Sequence, residues 1–261
     1  MSTHINDLYS LKERCAVVIG GKGKIGAPMV EALAEAGAVV FVASPSARDD
    51  DQSIKELKKR GLNVHGRLLS QSDEDSIRSL ISNIEDECKP PDILINSGVE
   101  RPMKKYFEDD STAWDKSMEV NARGLFLTCK IFGSCMVKAG GGTIINITSI
   151  YGIVAPDQSI YRGTDINTEP DYPYTKGGMI MFSKYLASYY ARDNIRVNCI
   201  APGGMFNNQD KSFVDQYIRR VPMKRMAYPD DMKGVAVFLA SDASKYITGA
   251  VIPVDGGLTA L

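Results

Sequence analysis

The chain is predicted to be an α/β protein with a doubly wound parallel sheet of about seven strands and helices on both faces. Three observations predict this. Short runs rich in Val and Ile alternate with longer segments whose apolar residues recur at helical spacing. The strand runs are apolar throughout, as in strands covered on both faces, instead of alternating with polar residues. No Pro/Gly-rich linker and no internal repeat divides the 261 residues, so residues 1–261 are expected to form a single domain with one full core.

Taken in order, Leu11–Gly20 is a short buried strand running into a glycine turn, and Ala27–Ala36 is a helix stopped by Gly37. Ala38–Ala43 is the second strand. Ile54–Arg60 is a helix ending at Gly61, and Asn63–Leu69 is the third strand. Asp73–Cys88 is a helix with an acidic first turn, which suits the positive end of its dipole. Pro90-Pro91 separates it from a fourth strand, Asp92–Asn96. Trp114–Lys138 reads as one long helix, Gly142–Ser149 as the fifth strand and Asp171–Arg192 as another helix. Ile195–Ile200 and Ala250–Val254 complete the strands.

In such a sheet, ligands bind beyond the carboxyl ends of the strands. Gly20, Asn96, Ser149 and Pro202 all fall at such ends, and the chemistry is expected around Ser149–Lys176. Residues four apart share a helix face, so a helix starting near Asp171 holds Tyr172 beside Lys176. A phenol ordinarily loses its proton near pH 10, roughly, too high for proton transfer at neutral pH. A neighbouring ammonium favours the phenolate and makes Tyr172 a usable acid or base. Ser149 is placed to donate a hydrogen bond to an oxygen on which charge develops. Pro173 would break a helix interior, but with Asp171 as N-cap it falls in the first turn, where a missing N–H costs little. Tyr174, two residues from Lys176, points elsewhere.

Composition bounds the alternatives. A formal net charge of −1 with interspersed charges marks no basic face for nucleic acid and no polybasic membrane patch. No apolar run approaches a membrane span, and the first residues lack the blocks of a signal peptide. Cys15, Cys88, Cys129, Cys135 and Cys199 are an odd set without metal-like pairing, expected as reduced thiols in a cytoplasmic protein. Two histidines, His4 and His65, make a His-based metal site or a Ser-His-Asp triad a poor reading, and no metal is expected.

These residues resemble the shorter type of the short-chain dehydrogenase/reductase family across nearly the whole chain. The final third is most specific: Asn194-Ile-Arg-Val-Asn-Cys-Ile-Ala-Pro-Gly203, then Phe238-Leu-Ala-Ser-Asp242, Ile247-Thr-Gly249 and Val254-Asp-Gly-Gly257. The resemblance implies a Rossmann domain and hydride transfer between a nicotinamide cofactor and a carbonyl/alcohol pair. It also implies four catalytic positions. Asn121 matches the residue that anchors a water in a proton relay, and Ser149 the one that orients the substrate oxygen. Tyr172 matches the acid/base, and Lys176 the residue that binds the nicotinamide ribose and tunes the tyrosine.

The cofactor half departs further from the family pattern. The glycine motif, usually Thr-Gly-x-x-x-Gly-x-Gly, is here Ile19-Gly20-Gly-Lys22-Gly23-Lys24-Ile25-Gly26, with Lys24 at the middle glycine. Lys24 must swing outwards or contribute a charge to the diphosphate site, with Gly23 in partial compensation. Asn-Asn-Ala-Gly is reduced to Asn96-Ser97-Gly98-Val99, and the Asp that often meets adenine aligns with Ser70. The second strand ends in Ser44-Pro-Ser-Ala-Arg48 instead of the acidic residue that selects NAD. Small hydroxyls, Arg48 and Lys22 could receive a 2′-phosphate, so NADP(H) is slightly favoured over NAD(H). Pro202 and Gly203 complete the expected cofactor contacts.

Two stretches, about 150–171 and 203–221, are expected as insertions walling the substrate pocket. The first carries Tyr151, Asp157, Gln158, Tyr161, Arg162, Asp165 and Asn167, and the second Asn207, Asn208, Gln209 and Asp210. Arg101, Lys104 and Lys105 follow the fourth strand. Tyr151, Tyr161, Arg162 and Asn207 are the candidate substrate contacts. A rim rich in hydrogen-bonding groups suits a sugar, polyol or sugar acid, perhaps phosphorylated. A non-catalytic sensor or scaffold is the alternative, motivated by the eroded cofactor motifs and opposed by the four catalytic positions. A nucleotide-sugar epimerase of the longer type shares Tyr-x-x-x-Lys but would extend beyond Val254-Asp-Gly-Gly into a substrate domain. Family members often form tetramers; a homo-oligomer, tetramer or dimer, is expected here, with the helices from Trp114 and Asp171 and the C-terminal segment as contacts.

Overall fold

The computed structural model describes residues 3–260. Its strands are β1 (Cys15–Ile19), β2 (Val39–Ser44), β3 (Val64–Leu68), β4 (Ile93–Asn96), β5 (Gly142–Ile147), β6 (Ile195–Pro202) and β7 (Val251–Val254). All pair in parallel, in the order β3-β2-β1-β4-β5-β6-β7. The helices are α1 (Ile5–Tyr9), α2 (Gly26–Glu35), α3 (Gln52–Lys59), α4 (Glu74–Glu87), α5 (Ser111–Met118), α6 (Leu125–Ala139), α7 (Asp171–Tyr189), α8 (Lys211–Arg220) and α9 (Lys233–Ala240).

Residues of the central strands divide between two cores. Cys15, Val17 and Ile19 of β1 pack with Ile77 and Leu80 of α4, Phe132 of α6 and Leu186 of α7. Ala16 and Val18 face Met29 and Leu33 of α2 and Leu239 of α9. This two-sided burial is why the strands read as continuous apolar runs.

The sequence-based boundaries need four corrections. The expected helix Trp114–Lys138 begins earlier, at Ser111, and is interrupted by a π-helical stretch over Glu119–Gly124. Asp171 is the first residue of α7 and not its N-cap; Pro170 holds that position, with helical dihedrals. The helix stops at Tyr189, followed by a 3-10 turn over Ala191–Asp193 that Asn194 closes at φ 56°. Three helices were not anticipated. α1 is short, α8 buries only Phe213 and Tyr217, and α9 is so uniformly apolar that it shows little periodic contrast.

The expected insertions are not independent loops. Ile160 and Tyr161 from the first join Phe213, Tyr217 and Val221 from the second, with Met226, in a satellite core beside the sheet. The strand order reverses direction between β1 and β4, and a crevice opens there at the carboxyl ends of both strands. Among the described residues no helix is long and apolar enough to cross a membrane.

Candidate active site

The start of α7 carries Tyr172 and Lys176. Pro173 is the third residue of the helix, where an N–H has no intrahelical partner to lose. Asp171 is buried and accepts a hydrogen bond from Ser117 Oγ at 2.5 Å, which ties the start of α7 to α5. One turn on, Lys176 lies 5% exposed with Nζ 5.7 Å from the centre of the Tyr172 ring. Its ammonium donates to the Ile147 carbonyl at 2.7 Å, so the end of β5 fixes its height beneath the tyrosine. Burial lowers its pKa from the ordinary 10.5 to about 8, with Cys199 opposing the fall and Arg101 adding to it. Tyr174 points outward, its ring 5.1 Å from that of Trp114.

Ser149 lies two residues past β5, buried, at the head of a 3-10 turn over Ile150–Gly152. Its Oγ accepts from the Tyr151 N–H at 3.1 Å, which orients the hydroxyl while leaving its own proton to donate. The turn rests directly on α7. Thr148 Oγ1 donates to the Lys176 carbonyl at 2.7 Å, and a Cβ at Gly152 would stand 2.7 Å from that same oxygen. Glycine is therefore what lets the serine turn and the tyrosine helix close on one another.

Asn121 sits within the π-helical stretch, a distortion frequent at functional sites. Its Nδ2 donates to the Glu100 carbonyl at 2.7 Å and to Ser117 Oγ at 3.0 Å, and its Oδ1 accepts from the Glu100 N–H at 2.9 Å. The side chain thus grips the segment after β4 instead of projecting into the cleft. Asn121, Ser117 and Asp171 form one continuous chain from that segment to the first turn of α7.

The glycine turn meets the β4 segment at the crevice. A Cβ on Gly20, at φ 74°, would lie 2.6 Å from the Gly98 nitrogen, and one on Gly26 would lie 2.4 Å from the Gly20 carbonyl oxygen. The first turn of α2 has Ile25 as N-cap without a side-chain cap, leaving backbone N–H groups for an anion. Gly23 packs against the same Gly20 oxygen, and its N–H donates to it at 2.9 Å. A dinucleotide fits this bare backbone cradle. Lys24 is exposed and lines a surface groove beside α2 together with Asn207. Asn96 turns into the sheet, donating to Asn146 Oδ1 at 2.8 Å and approaching Cys129 Sγ at 3.4 Å. Ser97 is held by its N–H to the Ile19 carbonyl at 2.9 Å.

Beyond β2, Lys22 pairs with Asp51 at 2.8 Å and reaches Ser46 Oγ at 3.4 Å. Ser44 Oγ accepts from the Ser46 N–H, and the Arg48 guanidinium donates to the Ser46 carbonyl, each at 3.3 Å. Lys22, Ser44 and Arg48 therefore converge on one loop, together with a carboxylate that sequence reading overlooked. Asp51 precedes α3, outside the strand end where an acidic residue is sought.

A cavity of about 230 Å³ joins these parts, lined by Ile25, Ser149, Tyr172, Pro202 and Gly203. Tyr151 and Tyr161 line it as expected of substrate contacts, but their hydroxyls bond each other at 2.6 Å and Thr168 Oγ1 donates to Tyr161 at 2.7 Å. Arg162 and Asn207 lie outside the lining; Arg162 is exposed, its carbonyl accepting from Gln216 at 3.3 Å. The wall is also more apolar than the residue list suggests, because Ile150, Ile166, Met205, Phe213 and Met226 turn inward. Arg101, named only as a rim residue from sequence, lies over Tyr172 with its guanidinium carbon 4.6 Å from the ring centre. Its only sequence signal was its place just after β4.

The family model described as enoyl-(acyl carrier protein) reductase matches residues 21–259. A 3-oxoacyl-(acyl-carrier-protein) reductase of Chlamydia trachomatis is 32% identical, over 95% of this chain and 98% of that protein. The structure of a short-chain dehydrogenase from Leptospira borgpetersenii with bound NAD+ superposes with a TM-score of 0.86 at 31% identity, covering 99% of this chain and 97% of the other. A gluconate 5-dehydrogenase from Burkholderia cenocepacia, in complex with NADP and tartrate, gives a TM-score of 0.87 at 27% identity, covering 99% and 100%. With its parallel sheet, glycine cradle and Tyr172/Lys176 pair, the chain belongs to the short-chain dehydrogenase/reductase family of NAD(P)-dependent oxidoreductases.

Proposed function

We propose that this single-domain enzyme interconverts an alcohol and a carbonyl on a polar small molecule, a sugar, polyol or sugar acid, with Tyr172 as acid/base. The observation that carries the reading is the buried Lys176 ammonium beneath Tyr172, with Ser149 on the same cavity. Positive charge at that point stabilises the negative charge that develops on the phenol oxygen. Tyr172 passes its proton to a carbonyl oxygen, or takes one from a hydroxyl. Ser149 donates a hydrogen bond to that same oxygen and holds it in line. Asn121 is a positioning residue, holding the Glu100 backbone and, through Ser117 and Asp171, the start of α7.

The dinucleotide would be held by Gly20, Gly23, Ile25 and Gly26, by the segment Asn96–Gly98, by Lys176, and by Pro202 and Gly203. When bound, it supplies the hydride donor or acceptor. We assign a preference for NADP(H) over NAD(H): the Lys22 ammonium and the Arg48 guanidinium both reach Ser46, two residues from Ser44, and two cations among small hydroxyls suit a 2′-phosphate. Lys24, exposed beside the cradle, adds charge at its rim.

A homo-oligomer, dimer or tetramer, in the cytoplasm is the proposed setting. Tyr174, Met181, Tyr185 and Tyr189 form an exposed apolar stripe along α7, with Phe126 and Val137 exposed on neighbouring α6. Contiguous stripes of this kind mark association surfaces. The five cysteines are free, in keeping with a reducing compartment.

Tyr172→Phe tests the assignment. Turnover with NAD(P)(H) is expected to fall by at least about a thousandfold, within the range set by proton-transfer catalysis, while thermal stabilisation by the cofactor persists. Substantial residual turnover would remove Tyr172 from its role. Absence of stabilisation by any of the four nicotinamide dinucleotides would favour a sensor or scaffold.

A further inference from the structure

The geometry points to Arg101 as the residue that recognises the substrate, through a carboxylate group held beside the reacting carbon. Among the described residues Arg101 is the only ionisable cation or anion lining the Ser149/Tyr172 cavity, apart from the tyrosines. Among the described residues it has no ion-pair partner, unlike Arg14, Arg67 and Arg225, and its guanidinium donates no hydrogen bond to protein. A guanidinium carries its N–H groups in a planar fork matched to two oxygens of one carboxylate. The Arg101 guanidinium carbon lies over the Tyr172 ring, 4.6 Å from its centre. An anion on that fork is therefore separated from the reacting carbon by a few bonds.

The remaining lining sharpens the requirement. Tyr151, Tyr161 and Thr168 satisfy one another, and the Tyr217 hydroxyl accepts from the Gly204 N–H. These groups present ring faces more than free donors. One uncommitted fork thus supplies the charged recognition in a pocket otherwise lined by uncharged groups. Lys104 and Lys105 are exposed and absent from the lining, so a second cation that would favour a phosphate dianion is missing among the described residues. A monoanionic carboxylate matches a single guanidinium.

Glu169 feels the charge of Arg101 without forming an ion pair with it. One of its oxygens accepts from the Tyr106 N–H at 2.6 Å; the other is buried without a partner. Burial raises its pKa, with Asp109 and Asp171 adding to the rise and the Tyr106 N–H and the Arg101 charge opposing it.

The inference deepens the oxidoreductase reading and rests on it for its role in turnover, so binding and turnover are measured separately. The probes are short-chain hydroxy and keto acids, each beside its uncharged amide, with sugar phosphates as a third arm. In wild type the acid is expected to exceed its amide by roughly ten- to a hundredfold in kcat/KM, the effect of one charge-assisted hydrogen-bonded pair. Arg101→Met should bring that ratio close to one, mainly through KM, and Arg101→Lys should retain part of it. The same ratio is read as binding in cofactor-loaded Tyr172→Phe protein, which needs no turnover. Binding selectivity that Arg101→Met abolishes upholds the inference even if no turnover is found. No acid outbinding its amide, selectivity that survives Arg101→Met in protein of unchanged melting temperature, or preference for sugar phosphates would overturn it.

Discussion

Lys176 offers a quantitative test of how the site is built, because its cost to the fold can be separated from its role in turnover. A fall in pKa from 10.5 to about 8 means that the charged form is disfavoured in the folded protein. At about 1.4 kcal/mol for each pH unit, this amounts to about 3 kcal/mol of destabilisation while the amine is protonated. A base with a depressed folded pKa leaves the unfolded chain binding more protons between the two values. Stability therefore rises with pH from about 8 to 10.5, and the cost is fully present below pH 8. Lys176→Met removes that cost but leaves the Ile147 carbonyl without the donor now 2.7 Å away, a loss of about 1–3 kcal/mol. At neutral pH the two effects nearly cancel. As pH rises from about 7 to about 10, the variant should lose about 2.5 kcal/mol relative to wild type. Urea unfolding of both apo proteins at the two pH values reads this directly, and taking the difference removes other groups that titrate in the window. A pH-independent difference would mean that Lys176 is not buried as a strained ammonium, and the electrostatic account of Tyr172 would fail with it.

Two further perturbations probe the cofactor half. Gly26→Ala places a methyl 2.4 Å from the Gly20 carbonyl oxygen, so the turn must open; dinucleotide affinity should fall at least about tenfold, as read by cofactor titration, and an unaltered affinity would remove the turn from the site. Asp51→Asn releases Lys22 from its 2.8 Å pair, and the NADP+/NAD+ affinity ratio should rise several-fold at low salt, less at high salt. A ratio indifferent to the substitution would place the 2′-position elsewhere.

Much of the architecture was legible in the chain because it depends on local patterns. Ala16-Val-Val-Ile19 and Ile93-Leu-Ile-Asn96 are buried on both faces and read as strands without further context. The spacing of Tyr172 and Lys176 required only the helix period. Local patterning fails where an element is held by distant partners. The π-helical stretch at Asn121 is stabilised by Glu100 and Ser117, and no propensity along Glu119–Gly124 announces it. The α8 helix is organised by burying Phe213 and Tyr217 against Ile160 and Tyr161, far away in sequence.

The same division holds for the site. Residue type and spacing by themselves determined the strands, the glycine turn and the nearness of Tyr172 to Lys176, because each follows from backbone geometry over a few residues. Tertiary structure alone decided which polar side chains remain available. It turned Asn96 and Asn121 toward protein partners, joined Tyr151 to Tyr161, and sent Arg162 and Asn207 outside the cavity. It also laid Arg101 on Tyr172 and set Asp51 against Lys22. Hydrogen-bond and charge partners are matters of distance in space, which linear spacing does not encode once residues leave a common helix or strand.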